Sequence, residues 1–135
     1  MMKKAYGLAV VLMMALPMVQ AADSPETVTG ATTVDGAKAK ALFDKGAVFV
    51  DVRNDKDWGA GRIPGAVHLD LHKGFDDANL GKKVKKDQDV VLYCNGVSCL
   101  RSSEAATQAV GWGYKKVSYY RLGFPDWKAA GYPVE

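Results

Sequence analysis

The sequence predicts an α/β fold, a mostly parallel sheet with helices on both faces. Three observations predict it: strand-length apolar runs recur along the chain, helical stretches separate them, and the runs are continuously apolar instead of strictly alternating. Strands with that composition are buried on both faces, as parallel strands are.

The elements follow in order. VDGAKAKALFDKG (Val34 to Gly46) reads as a short helix closed by Gly46, and AVFVDV (Ala47 to Val52) as a buried strand. A turn of helix is expected near Asp55 to Gly59, then a Pro-Gly break and a short strand at Ala66 to Leu69. GFDDANLGKK reads as a short helix or a loop. DVVLYC (Asp89 to Cys94) is the clearest strand, and RSSEAATQAVGWGY (Arg101 to Tyr114) the clearest helix, closing at Gly111 or Gly113. KKVSYYR (Lys115 to Arg121) is a further strand, and FPDWKAAG a last helical turn with Pro125 near its start and Gly131 after it. The stretch shows no internal repeat and no second domain.

The N-terminus predicts a compartment. Met1 to Lys4 is a short basic start, Ala5 to Val19 is nearly all apolar, and Val19-Gln20-Ala21 offers the small residues a signal peptidase reads. Residues 1–21 are therefore expected to be a removed signal, because the apolar run is broken by Pro17 and falls short of the roughly 20 residues a membrane span needs. Export follows, into the periplasm if the source is a Gram-negative bacterium, with no membrane attachment after the signal is removed. Residues 22–33, polar and without large apolar side chains, are expected to form a loose leader, and residues 34–135 the domain.

Charge excludes one class of partner. The signal holds Lys3 and Lys4 of the 18 basic residues and none of the 15 acidic ones, so the remainder is nearly neutral and nucleic acid is not an expected partner. The cluster KKVKK (Lys82 to Lys86) reads as a solvated loop, with attraction of anions as its functional alternative.

The chemistry concentrates in VVLYCNGVSCLRSSEAA (Val90 to Ala106), which holds both cysteines of the chain. Two cysteines are no disulfide scaffold in a domain large enough to bury its own core, although an oxidising compartment favours their pairing. Cys94 ends the strongest strand, and ligands of open α/β sheets sit beyond the carboxyl ends of the strands. The loop NGVSCL then leads into a helix, whose first turn offers unpaired N–H groups and the positive end of the dipole. Such a loop is suited to curl its amides round an anion, with Gly96 allowing close approach, and the same field favours thiolate. Arg101 adds a permanent charge there. The bland alternative is that both cysteines are small buried hydrophobes.

The succession FVDVRNDKDWGAGRIPGAVHL, VVLYC plus a loop, RSSEAATQAVGWGY and LGFPDWKAAGYPVE resembles the single-domain rhodanese family of sulfurtransferases, from about Val34 to Glu135. The resemblance implies a rhodanese-like three-layer sandwich with a sheet of about five strands. It implies that Cys94 takes the outer sulfur of a small anionic donor such as thiosulfate as a persulfide and passes it to cyanide or another thiophilic acceptor. Asn95, Gly96, Val97, Ser98, Leu100 and Arg101 would form the anion cradle, Asp51 and Arg53 would support it, and neither a cofactor nor a metal would be needed. His68 and His72 with the two cysteines make no convincing zinc set.

The chain departs from the family pattern in three places. The family loop is C-x-x-G-x-R-S, whereas Arg101 stands seven residues after Cys94, so the loop is longer by two. Phosphatases of this fold have loops enlarged by one residue over the sulfurtransferases, but the spacing here also exceeds their C-x5-R. Second, Cys99 lies inside the loop. It is either a resolving thiol for Cys94 or an alternative nucleophile nearest the helix start; strand-end placement favours Cys94. Third, Arg62 stands where many relatives have histidine and is expected to belong to a structural turn.

Other residues have plainer expectations. Asp51 and Arg53 should orient loops through an ion pair, Trp58, Trp112 and Trp127 should pack in or against the core, His68 should be a satisfied core histidine, and Ser102 or Ser103 should cap the helix. Three functions remain open: an exported sulfurtransferase, a thiol-disulfide protein cycling Cys94 and Cys99 with a redox protein partner, and a non-catalytic binding module of the same fold.

Overall fold

The computed structural model describes residues 2–14 and 22–135. The expected peptidase site at Val19-Gln20-Ala21 lies outside the described residues, and residues 2–14 form no regular element. No helix among the described residues is long and apolar enough to cross a membrane.

The chain runs β1 (Thr32–Thr33), α1 (Gly36–Asp44), β2 (Val48–Asp51), α2 (Asp55–Ala60), β3 (Val67–His68), α3 (Asp77–Gly81), β4 (Asp89–Tyr93), α4 (Arg101–Gly111), β5 (Lys116–Tyr120) and α5 (Gly123–Ala129). The strands form one sheet in the order β1-β5-β4-β2-β3, and every pairing is parallel. β4 is central, with Val50 opposite Leu92 on one side and Leu92 opposite Tyr119 on the other.

The pleat divides the core into two. Phe49, Val91 and Tyr93 meet Ala39 of α1 and Trp127 of α5, while Val50, Val90, Leu92 and Cys94 meet Leu80 of α3 and Ala105, Ala106 and Ala109 of α4. Alternate residues of each strand therefore feed opposite layers, and because both layers are covered, both sets are apolar. Trp127 is fully buried and donates its indole N–H to the Pro133 carbonyl at 2.7 Å. The alanines of α4 let that helix lie close on the sheet, which fixes where its first turn falls.

Three helices are opened by side-chain caps. Asp35, Asn54 and Asp76 each accept from the backbone N–H three residues on, at 2.8, 2.8 and 2.7 Å. GFDDANLGKK thus contains a helix, α3, and the lysine cluster follows it as a loop in which Lys86 pairs with Asp77 at 2.6 Å.

The expected loose leader is a correction. Ser24 and Val28 are buried, and Thr32–Thr33 adds the edge strand β1 beside Ser118 and Tyr119. The Tyr119 hydroxyl also donates to the Pro25 carbonyl at 2.8 Å. Backbone pairing supplies here what the polar side chains of the segment do not.

Candidate functional site

Cys94 lies one residue beyond β4, at the carboxyl rim of the sheet, and only 1% of its surface is exposed. Its loop doubles back at Gly96, whose φ of 111° suits glycine, and the Cys99 N–H donates to the Gly96 carbonyl at 3.0 Å. That turn brings the Cα atoms of Cys94 and Cys99 to 6.3 Å, and their sulfurs are joined as a disulfide. Cys99 is the more exposed of the two, and Leu100 beside it is 47% exposed.

The loop is held from three sides. Ser24, through its backbone N–H and its hydroxyl, donates twice to the Val97 carbonyl, each at 2.7 Å. The Arg121 guanidinium in turn grips the Ser24 carbonyl at 2.8 and 3.2 Å. From the first turn of α5, the Phe124 N–H donates to the Cys94 carbonyl at 2.9 Å. Gly123 makes this approach possible: at φ 62° it packs so closely that a Cβ there would run into the Cys94 carbonyl. Sequence reading missed Ser24, Arg121 and Gly123 as loop supports; the glycine in LGFPDW was the available signal.

Asp51 and Arg53 form the third support, a fully buried ion pair. The guanidinium donates to both Asp51 oxygens at 2.7 to 3.0 Å and reaches the Gly61 carbonyl at 2.6 Å and the Asn95 side-chain carbonyl at 3.2 Å. Burial works against the charge of Arg53, but the hydrogen bonds and charge of Asp51 outweigh it and hold its pKa above the ordinary value. Asn95 donates onward to Asp57 at 2.7 Å, which ties the first loop residue to α2.

Arg101 opens α4 but turns to other partners. It donates to Asp70 at 2.8 Å, to the Val52 carbonyl at 3.2 Å, and contacts His72 Nδ1 at 3.2 Å. Its charge, expected to serve the anion cradle, is shared with Asp70. Burial works against the Asp70 charge, yet the His72 backbone N–H and Arg101 hold its pKa below the ordinary value.

Among the described residues, no side chain caps α4. The expected caps do something else: Ser103 donates to the Leu100 carbonyl at 2.9 Å, and the buried Ser102 hydroxyl has no partner among the described residues. Of the backbone N–H groups from Asn95 to Arg101, that of Cys99 alone donates to another described residue. The other amides are available, and with the positive end of α4 they suit an anion or a thiolate.

The remaining candidates lie apart from this chemistry. His68 donates from Nε2 to the Arg53 carbonyl at 2.8 Å and stacks on Trp58 with ring centres 4.7 Å apart. Arg62 bonds the Trp58 carbonyl and pairs with Glu135, so it belongs to a structural turn. Trp112 packs half-buried against Phe75. Among the described residues, no group of three His, Cys, Asp or Glu side chains is placed to hold a metal ion.

Comparison with known proteins joins this geometry to a family. The family model described as Rhodanese-like domain matches residues 35–130. The thiosulfate sulfurtransferase GlpE of Pseudomonas savastanoi is 38% identical over 99 residues, covering 73% of this chain and 87% of that protein. The crystal structure of the Alr3790 protein from Anabaena is 27% identical with a TM-score of 0.65, covering 76% of this chain and 90% of that one. A Rhodopseudomonas palustris protein of unknown function, described as a "possible tyrosine phosphatase", is 30% identical with a TM-score of 0.63, covering 83% of this chain and 99% of that one.

Proposed function

The chain belongs to the rhodanese-like family and is a sulfurtransferase, and from that premise we propose that it carries sulfane sulfur as a persulfide on Cys94. The observation that carries this reading is the place of Cys94 at the end of the central strand, followed by a loop whose backbone amides, Cys99 excepted, have no partner among the described residues, and by a helix start without a side-chain cap from them.

The first step is attack of the Cys94 thiolate on the outer sulfur of thiosulfate or a similar donor. The new S–S bond forms as the S–S bond of the donor breaks, and sulfite leaves with the electron pair. A thiophilic acceptor such as cyanide then takes the outer sulfur and returns Cys94 as thiolate. The amides of Asn95, Gly96, Val97, Ser98, Leu100 and Arg101 supply the electrostatic stabilisation at both stages, since donors fixed before reaction cost no reorganisation during it. Asp51 and Arg53 hold Asn95, and Arg101 positions the start of α4 through Asp70. The Cys94–Cys99 disulfide must be reduced before the cycle begins.

The reading includes export, supported by the basic start, apolar run and small-residue site within residues 1–21. The test of function is thiocyanate formation from thiosulfate and cyanide by the reduced protein. Wild type is expected to turn over, and Cys94→Ser to fall to background; undiminished turnover by Cys94→Ser would remove the proposal.

The disulfide itself favours a second reading, a dithiol-disulfide protein that exchanges electrons with a redox partner and transfers no sulfur. That reading predicts no sulfite release from thiosulfate in wild type or in Cys99→Ser.

A further inference from the structure

We infer that Cys99 is a resolving nucleophile that converts the Cys94 persulfide to free sulfide, so that a dithiol protein is the electron donor of the complete cycle. The inference rests on the persulfide reading above and names what empties it.

Relative to the C-x-x-G-x-R-S spacing, the loop is longer by two residues, and it carries a second thiol. The Gly96 turn, closed by the bond from the Cys99 N–H to the Gly96 carbonyl, directs Cys99 back to Cys94, and the two sulfurs are bonded. Cys99 can therefore reach the inner sulfur of a persulfide on Cys94, because that atom is the one it is already bonded to. A thiol on so short a tether competes at an effective concentration of roughly millimolar or more, which an external acceptor must match.

The balance closes without an outside oxidant. Donation by thiosulfate gives Cys94–S–S⁻ and sulfite. The Cys99 thiol then attacks Cys94 Sγ, the bond to the outer sulfur breaks, and that sulfur leaves as HS⁻ with the electron pair and the thiol proton. The sulfane sulfur is reduced by two electrons, and the two cysteine sulfurs are oxidised to the disulfide seen in the structure. A dithiol reductant restores both thiols and becomes a disulfide itself.

Burial assigns the direction of that last step. Cys94 is only 1% exposed and Cys99 is the more open, so the reductant attacks Cys99 Sγ and Cys94 is the leaving thiolate. The unpartnered loop amides and the start of α4 stabilise that leaving group, and it departs in the form needed to attack the next donor.

The test is a single turnover of the full chain, reduced, freed of reductant and mixed with thiosulfate under anaerobic conditions without cyanide. Wild type is expected to release sulfite and sulfide in equal amounts, one of each per chain, and to end as the disulfide. Cys99→Ser and Cys99→Ala should release sulfite, retain one added sulfur and yield no sulfide. A wild-type persulfide that persists beside a free Cys99 overturns this inference and leaves the sulfurtransferase reading standing; no sulfite from wild type or either variant overturns both. A thioredoxin-type protein stripped to its attacking cysteine should be trapped on Cys99, and trapping on Cys94 would contradict the assigned direction.

Discussion

Arg101 and Asp70 show how one residue's partner changes its meaning. From spacing alone Arg101 stands as the cation of the anion loop, yet it spends its charge on a carboxylate that is 6% exposed. Asp70 has its folded pKa below the ordinary value of 3.8, so its contribution to stability is fully present above that value and is lost as pH falls through the lower, folded pKa. Urea unfolding of wild type and Asp70→Asn across an acid series is therefore expected to show a stability gap near neutrality that closes only below 3.8. A gap independent of pH would contradict the assignment. Asp51 and Arg53 make a harsher case, because both are buried. Arg53→Met strands the Asp51 charge and is expected to cost about 3–5 kcal/mol, whereas Asp51→Leu with Arg53→Met should recover much of that loss. Equal losses in the single and double variants, measured by urea unfolding, would contradict it.

Among elements, the legible ones are those whose signals are local. Asp35 and Asn54 open helices by the side-chain acceptor they carry, and the apolar runs around Val50 and Leu92 mark their strands without reference to anything distant. β1 was not legible, because Thr32 and Thr33 are exposed and polar and become a strand only by pairing with β5, far along the chain. Ser24 is hidden for the same reason: its grip on Val97 joins segments that no periodicity relates. The turn between β5 and α5 lies between these extremes. Gly123 is a visible glycine, but its purpose, the close approach to the Cys94 carbonyl, appears only in three dimensions. Gly123→Ala places a Cβ in that contact at a positive φ, and a loss on the order of 2–4 kcal/mol is expected from the backbone strain and the crowding together. Because the contact is with the active loop, sulfur transfer should fall as well at temperatures where the variant is still folded. Stability and activity both unchanged in Gly123→Ala would show that the turn does not hold the loop.

At the scale of the whole molecule, sheet order decides what Cys94 can do. β4 lies between β5 and β2, so Cys94 is supported on one side by the start of α5, and Asn95 after it is held on the other by Arg53, just past β2. Cys94 as the strand-end residue was readable from its apolar run, and the fold class with it. The bond to Cys99 was not, because it depends on the path of an enlarged loop and on the positive φ of Gly96. The central claim is that Cys94 is the sulfur carrier of this loop, with Cys99 acting on what Cys94 holds. The most direct measurement is peptide mapping by mass of the reduced Cys99→Ser protein after exposure to thiosulfate. The account predicts one added sulfur, located on Cys94 and removed by cyanide; a protein that releases no sulfite and gains no sulfur would contradict it.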